Sequence, residues 1–146
     1  MIEQKLVILT KKDIDSLKSI FENSEIISDE DKKALNLKRE KARKNNLVMG
    51  DLFLYCFDVL SDYSHLFESE DKNFEKNIKG YLTDFSKIVG ELRELIESYE
   101  EGEIGSYFDG ERIRDYVRPN REKMSGLVNI FFSIISGEGS SLGGGF

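Results

Sequence analysis

Asp58, Asp62 and His65 are the residues of this chain best spaced for chemistry. Gaps of four and three put two carboxylates and an imidazole on one helical face, with Asp51 two turns earlier on the same stripe. Carboxylate plus imidazole at that spacing can ligate a transition metal. A dinuclear helical site needs a matching pair from a second helix, and His65 is the one histidine of the sequence. A mononuclear site needs a third ligand, for which Glu91 or Glu94 is the candidate. The plainer meaning is a thin polar stripe where a core helix meets water. On so incomplete a ligand set, neither a metal nor any other cofactor is expected.

Covalent catalysis fares no better. Cys56 and His65 are the only thiol and the only imidazole, and nine residues of helix turn through about 900°, which sets them on opposite faces. The glycines of the tail follow a helix and precede none, the reverse of a phosphate-cradling loop. No catalytic constellation is visible, and the expectation is a protein that is not an enzyme.

Two basic clusters carry more weight. The first is Lys38, Arg39, Lys41, Arg43 and Lys44; the second is Arg112, Arg114, Arg118, Arg121 and Lys123, close to Tyr107, Phe108 and Tyr116. Arginines beside aromatic rings are one way to hold single-stranded nucleic acid, by phosphate contact plus stacking. Glu40 interrupts the first cluster and Asp115 and Glu122 the second, a mixture that more commonly means salt-bridged surface. The net charge of −7 excludes wholesale attraction to nucleic acid or to an anionic membrane. Nucleic-acid contact is therefore an expectation only within a larger complex whose neighbours add positive charge.

These residues need elements to position them. The chain has 146 residues, 39% hydrophobic and 34% charged, with one proline, which suits one charge-rich, helical domain over residues 1–136. The clearest pattern is Phe74, Ile78, Tyr81, Phe85, Ile88, Leu92, Leu95 and Tyr99, alternating gaps of four and three. That spacing predicts one long helix over Phe74–Tyr99, and Leu82, Val89 and Ile96 widen its stripe to a bundle-type face. Leu47–Phe67 predicts a second, nearly all-apolar helix carrying the Asp58–His65 stripe, with Cys56 as a small core residue. The polar turn between the two predicts an antiparallel hairpin at the centre of the fold.

Around that hairpin, Thr10 caps a helix from about Lys11 to Glu22, with Asp13 completing the cap. Ser28 opens a second helix, whose acids come first and bases last, as the helix dipole favours. That helix offers only Ala34, Leu35, Leu37 and Ala42 as apolar residues, so it packs by a narrow edge. A short helix over Glu111–Val117 should end at Pro119, and a last helix should start near Asn120. The expected fold is all-α, a bundle of about five helices, with Lys5–Leu9 as a short strand or extended arm.

The last helix is apolar nearly all round, so it is either deeply buried or partly an interface. Leu127, Ile130, Phe131, Phe132 and Ile134 are its candidate protein-contact residues. Residues 137–146, GEGSSLGGGF, form a glycine- and serine-rich tail in which Leu142 and Phe146 are apolar anchors for a partner or a sister subunit. The start, MIEQKLVIL, lacks a signal-peptide cleavage site and no stretch is long enough to span a bilayer, which predicts a cytoplasmic protein without membrane contact. The leading expectation is a non-catalytic assembly subunit whose partner is a protein or a second copy. The alternatives are a helical subunit touching nucleic acid through the basic clusters, and an acidic inhibitor or immunity-type protein using the face around Glu91–Glu103.

Overall fold

The computed structural model describes residues 9–67, 72–101 and 106–136. Among them are six α-helices and one 3-10 turn, an all-α bundle. Of the expected arm Lys5–Leu9, only Leu9 lies within the described residues; it is buried and not part of a strand.

The first helix, α1, spans Lys11–Asn23. Thr10 and Asp13 form a reciprocal capping box: the Thr10 hydroxyl accepts from the Asp13 N–H at 3.2 Å, and the Asp13 carboxylate accepts from the Thr10 N–H at 3.0 Å. Asp13 is almost fully buried, and the Asn77 amide donates to the same carboxylate oxygen at 3.2 Å, tying the start of α1 to a later helix. The end of α1 is a Schellman turn. The Ile26 N–H returns to the Phe21 carbonyl and the Glu25 N–H to the Glu22 carbonyl, each at 3.3 Å, with Glu25 at φ 49°.

Ser28 caps α2, Asp29–Ala42, by accepting from the Asp31 N–H. Of its side chains only Leu35 and Ala42 are buried, the narrow edge that its composition predicts. Asn45 caps α3, Asn46–Asp62. The expected helix Leu47–Phe67 thus ends early: the chain breaks at Tyr63 and closes in a 3-10 turn over Ser64–Phe67, which drops Phe67 into the core against Phe74, ring centroids 5.9 Å apart.

The expected Phe74–Tyr99 helix is two helices, α4 (Lys72–Thr83) and α5 (Ser86–Glu101). Side-chain bonds to backbone carbonyls accompany the break. The Thr83 hydroxyl donates back to the Lys79 carbonyl at 2.7 Å, a contact that bends helices, and the Ser86 hydroxyl takes the Thr83 carbonyl at 2.8 Å. One 3-10-type bond, Phe85 N–H to Leu82 carbonyl, turns the corner and leaves the apolar seam unbroken. Phe74, Ile78, Tyr81, Leu82, Phe85, Ile88, Val89 and Leu92 are all buried, and Phe85 packs between Phe53 and Tyr81.

The expected break at Pro119 is absent: α6 runs without interruption from Ser106 to Ile135. Pro119 faces solvent, and the carbonyl it deprives of a partner belongs to exposed Asp115, where water can serve it. The Asn120 amide donates to the Tyr116 carbonyl at 2.9 Å and bridges the same turn. Buried Ile113 and Val117 on one side and Met124, Leu127 and Val128 on the other stay on one face. That face makes α6 the axis of the bundle: α3 packs on it most extensively, α5 and α1 lean on it, and α2 lies on α3. Gly50 marks the closest approach, since a Cβ there would sit 3.2 Å from Val117 Cγ2 and 3.5 Å from Leu92 Cδ2.

Candidate functional site

The stripe Asp51, Asp58, Asp62 and His65 is divided among separate tasks. Asp51 pairs with Lys38 of α2 and Asp58 with Arg93 of α5, both across exposed helix boundaries. Burial pushes the Asp58 carboxyl above the usual range; Arg93 pulls it back and Asp62 adds to the rise. His65 lies beyond the end of α3, exposed, its Nδ1 3.2 Å from the Asp62 carbonyl and its ring 6.3 Å from that of Tyr63. Among the described residues, no three histidine, cysteine, aspartate or glutamate side chains converge to hold a metal ion. Cys56 is fully buried, and burial pushes its thiol well above the ordinary value.

The apolar candidates of the last helix lie in this chain's own core. Leu127 and Phe131 are 0% exposed, Phe132 and Ile134 are buried, and Ile130 is half-buried. Phe131 is the hub, with the rings of Phe21, Tyr55 and Phe132 each 6.1–6.2 Å away and edge-on. Of the five, Ile130 alone is left partly exposed. Leu142 and Phe146 lie outside the described residues.

The basic clusters, some seventy residues apart in sequence, touch through Arg121 at the C-terminal end of α2. Arg121 reaches across to the Ala42 and Arg43 carbonyls, the latter at 2.8 Å, and to Asn46 Oδ1 at the start of α3. Those carbonyls belong to the last turn of α2, where a cation both supplies the missing donors and suits the dipole. Arg39 donates to Asn129 Oδ1 at 2.9 Å and stacks over the Phe132 ring, 4.7 Å from its centroid. Burial, and then Arg43, pull the Arg39 guanidinium below its ordinary value. Lys123 serves the α4–α5 corner, donating to the Asp84 carbonyl at 3.1 Å and lying over the Phe85 ring.

The remaining cations are more superficial. Arg43 pairs with Glu40 and Arg118 with Asp115, each at 3.8 Å. Lys41, Lys44 and Arg112 are exposed and Arg114 is half-exposed. Arg39, Arg121 and Lys123 are thus built into the architecture, whereas Arg118, Lys41 and Lys44 face outward.

Two surface features fall outside the sequence expectations. A cleft of about 410 Å³ opens between the end of α1, the α1–α2 turn and the end of α6. Phe21, Ile27, Ile134 and Ile135 form its apolar wall, and Lys18, Glu22, Glu25, Asp29 and Lys32 its charged rim. Ile27 sits in a turn too short to show periodicity, which is why no helical pattern reveals it. On α2, Leu37 is 68% exposed on the face turned away from α3 and α6. No helix among the described residues is long and apolar enough to cross a membrane. No family model, curated protein or solved structure matches this chain.

Proposed function

We propose that this chain is a non-catalytic interaction subunit that self-associates or docks into a larger assembly. The observation that carries this reading is the cleft between α1, the α1–α2 turn and α6. Ile27, half-buried over the core side chains of Phe21, Ile134 and Ile135 and inside a charged rim, suits an apolar side chain presented on a partner helix or strand, with rim charges setting register. Exposed Leu37 offers a second apolar contact on α2, outside the cleft. The dispersal of Asp51, Asp58 and His65 into separate contacts and the burial of Cys56 support a binding role over a catalytic one.

The test is the solution mass of the full chain beside Ile27→Asn and Leu37→Ser. Association through the cleft predicts a mass above the single-chain value that Ile27→Asn lowers and Leu37→Ser leaves unchanged. The opposite pattern would move the contact to the outer face of α2.

A second reading, contact with nucleic acid, is supported by one specific observation: Arg121 of the second basic cluster lies against the end of α2 that carries the first. Salt-dependent retention of an RNA or DNA oligonucleotide would support it. Failure to retain either at low salt would end it.

A further inference from the structure

The cleft between α1, the α1–α2 turn and α6 contains the end of α6 itself. Ile134 and Ile135, the last two residues of that helix, line it. The final turn is closed by the Ser136 N–H, which donates to the Phe132 carbonyl at 3.0 Å, and by the Ser136 hydroxyl, which donates to the Ser133 carbonyl at 3.2 Å. The chain therefore leaves the described residues at the edge of the cleft, and residues 137–146, GEGSSLGGGF, continue from there. We infer that the occupant of the cleft is the 137–146 segment of a second copy of this chain, with Leu142 seated on Ile27. The inference rests on the assembly reading and names its partner.

Symmetry and reach favour this segment. Association of two copies through one patch is self-complementary about a two-fold axis. Ile134 and Ile135 belong to the patch, so such a contact brings both α6 ends to the interface, and each continuation starts beside the other copy's cleft. Leu142 is six residues beyond Ser136, a span of up to about 20 Å in extended chain. Residues 1–8 start in the wrong place. They lead into Leu9 and the start of α1, which Asp13 ties to Asn77, and the length of α1, about 20 Å, separates that end from the cleft.

Composition favours the same segment. Ile27 is half-buried and apolar, and the segment offers it Leu142, with Phe146 as a second anchor. The rim mixes Lys18 and Lys32 with Glu22, Glu25 and Asp29. Residues 139–146 carry no charge in a chain that is 34% charged, so neither sign of the rim repels them. Glu138 is the one charged side chain of the segment, and the two rim lysines suit it. Its five glycines raise the cost of ordering it, which predicts an association that depends on concentration.

The test compares the solution mass of the full chain, of Ile27→Asn, of the double variant Leu142→Ser with Phe146→Ser, and of an equimolar mixture of the two variants. Circular dichroism and the urea midpoint establish that each variant is folded. The double variant should raise the dissociation constant by about tenfold or more, the scale of one buried leucine. In the mixture, the Ile27→Asn copy brings an intact tail and the double variant an intact cleft. Association should therefore reappear at a concentration where neither variant associates alone. A mixture that stays at the single-chain mass would overturn the inference. So would a double variant that associates more strongly than the full chain, because the segment would then be covering its own cleft. Association that Ile27→Asn removes and the double variant keeps would overturn the inference and leave the assembly reading standing. A full chain at the single-chain mass at every concentration would end both.

Discussion

Replacing Arg121 by alanine should destabilise the fold without touching its apolar core. The substitution removes three hydrogen bonds, to Asn46 Oδ1, the Ala42 carbonyl and the Arg43 carbonyl. Each charge-assisted bond contributes about 1.5–3 kcal/mol, but the Arg43 bond is exposed and water replaces it, and water partly serves the half-buried other two. A net loss of about 2 kcal/mol follows. With a urea dependence of about 1.5 kcal/mol per molar, the midpoint should fall by roughly 1.3 M with the slope unchanged. The acceptors are neutral oxygens, so the loss should persist in high salt, unlike that of a surface ion pair. Arg121→Lys, which cannot reach three acceptors at once, should fall between. A shift equivalent to less than about 0.5 kcal/mol for Arg121→Ala would refute the view that this arginine clasps α2 to α6.

Other substitutions test the same physics elsewhere. Glu25 occupies the left-handed C-terminal position of the α1 Schellman turn at φ 49°, so Glu25→Gly should raise stability by about 0.5–1 kcal/mol in urea denaturation; a loss would mean that the glutamate side chain contributes more than its backbone costs. Gly50→Val places methyl groups against Val117 and Leu92 and should cost about 1–3 kcal/mol. Gly50→Ala, offset by its helix propensity, should be near neutral, and equal losses for both would place the crowding at the Cβ itself. Burial pushes the Cys56 thiol up, so at pH 8 a thiolate-directed reagent should label the native chain orders of magnitude more slowly than the unfolded one. Fast native labelling would take Cys56 out of the core.

Local chemistry is the legible part of the sequence. The Thr10–Asp13 box, the Ser28 cap and the seam from Phe74 to Leu92 follow from residue type and spacing, and each is present. Where a helix stops is less legible. The break after Thr83 is marked by the Thr83 and Ser86 hydroxyls bonding to nearby carbonyls, bonds invisible to a periodicity that runs straight through it. Pro119 misleads in the other direction: its effect depends on the face it occupies, and on the solvent side α6 absorbs it. The apolar excess of Leu127–Ile135 fits burial and interface equally, and only the arrangement of α1 and α3 around α6 decides for burial. The meeting of Arg121 with the end of α2, and the cleft that includes Ile27, are products of tertiary packing that no local pattern records.

The central claim, association through the cleft between α1, the α1–α2 turn and α6, is tested most directly by light scattering on the full chain across a range of concentrations. A mass above the single-chain 16.8 kDa that rises with concentration, and that Ile27→Asn returns to the single-chain value, is the predicted result. A chain that stays at the single-chain mass throughout, or an oligomer indifferent to Ile27→Asn, would contradict it.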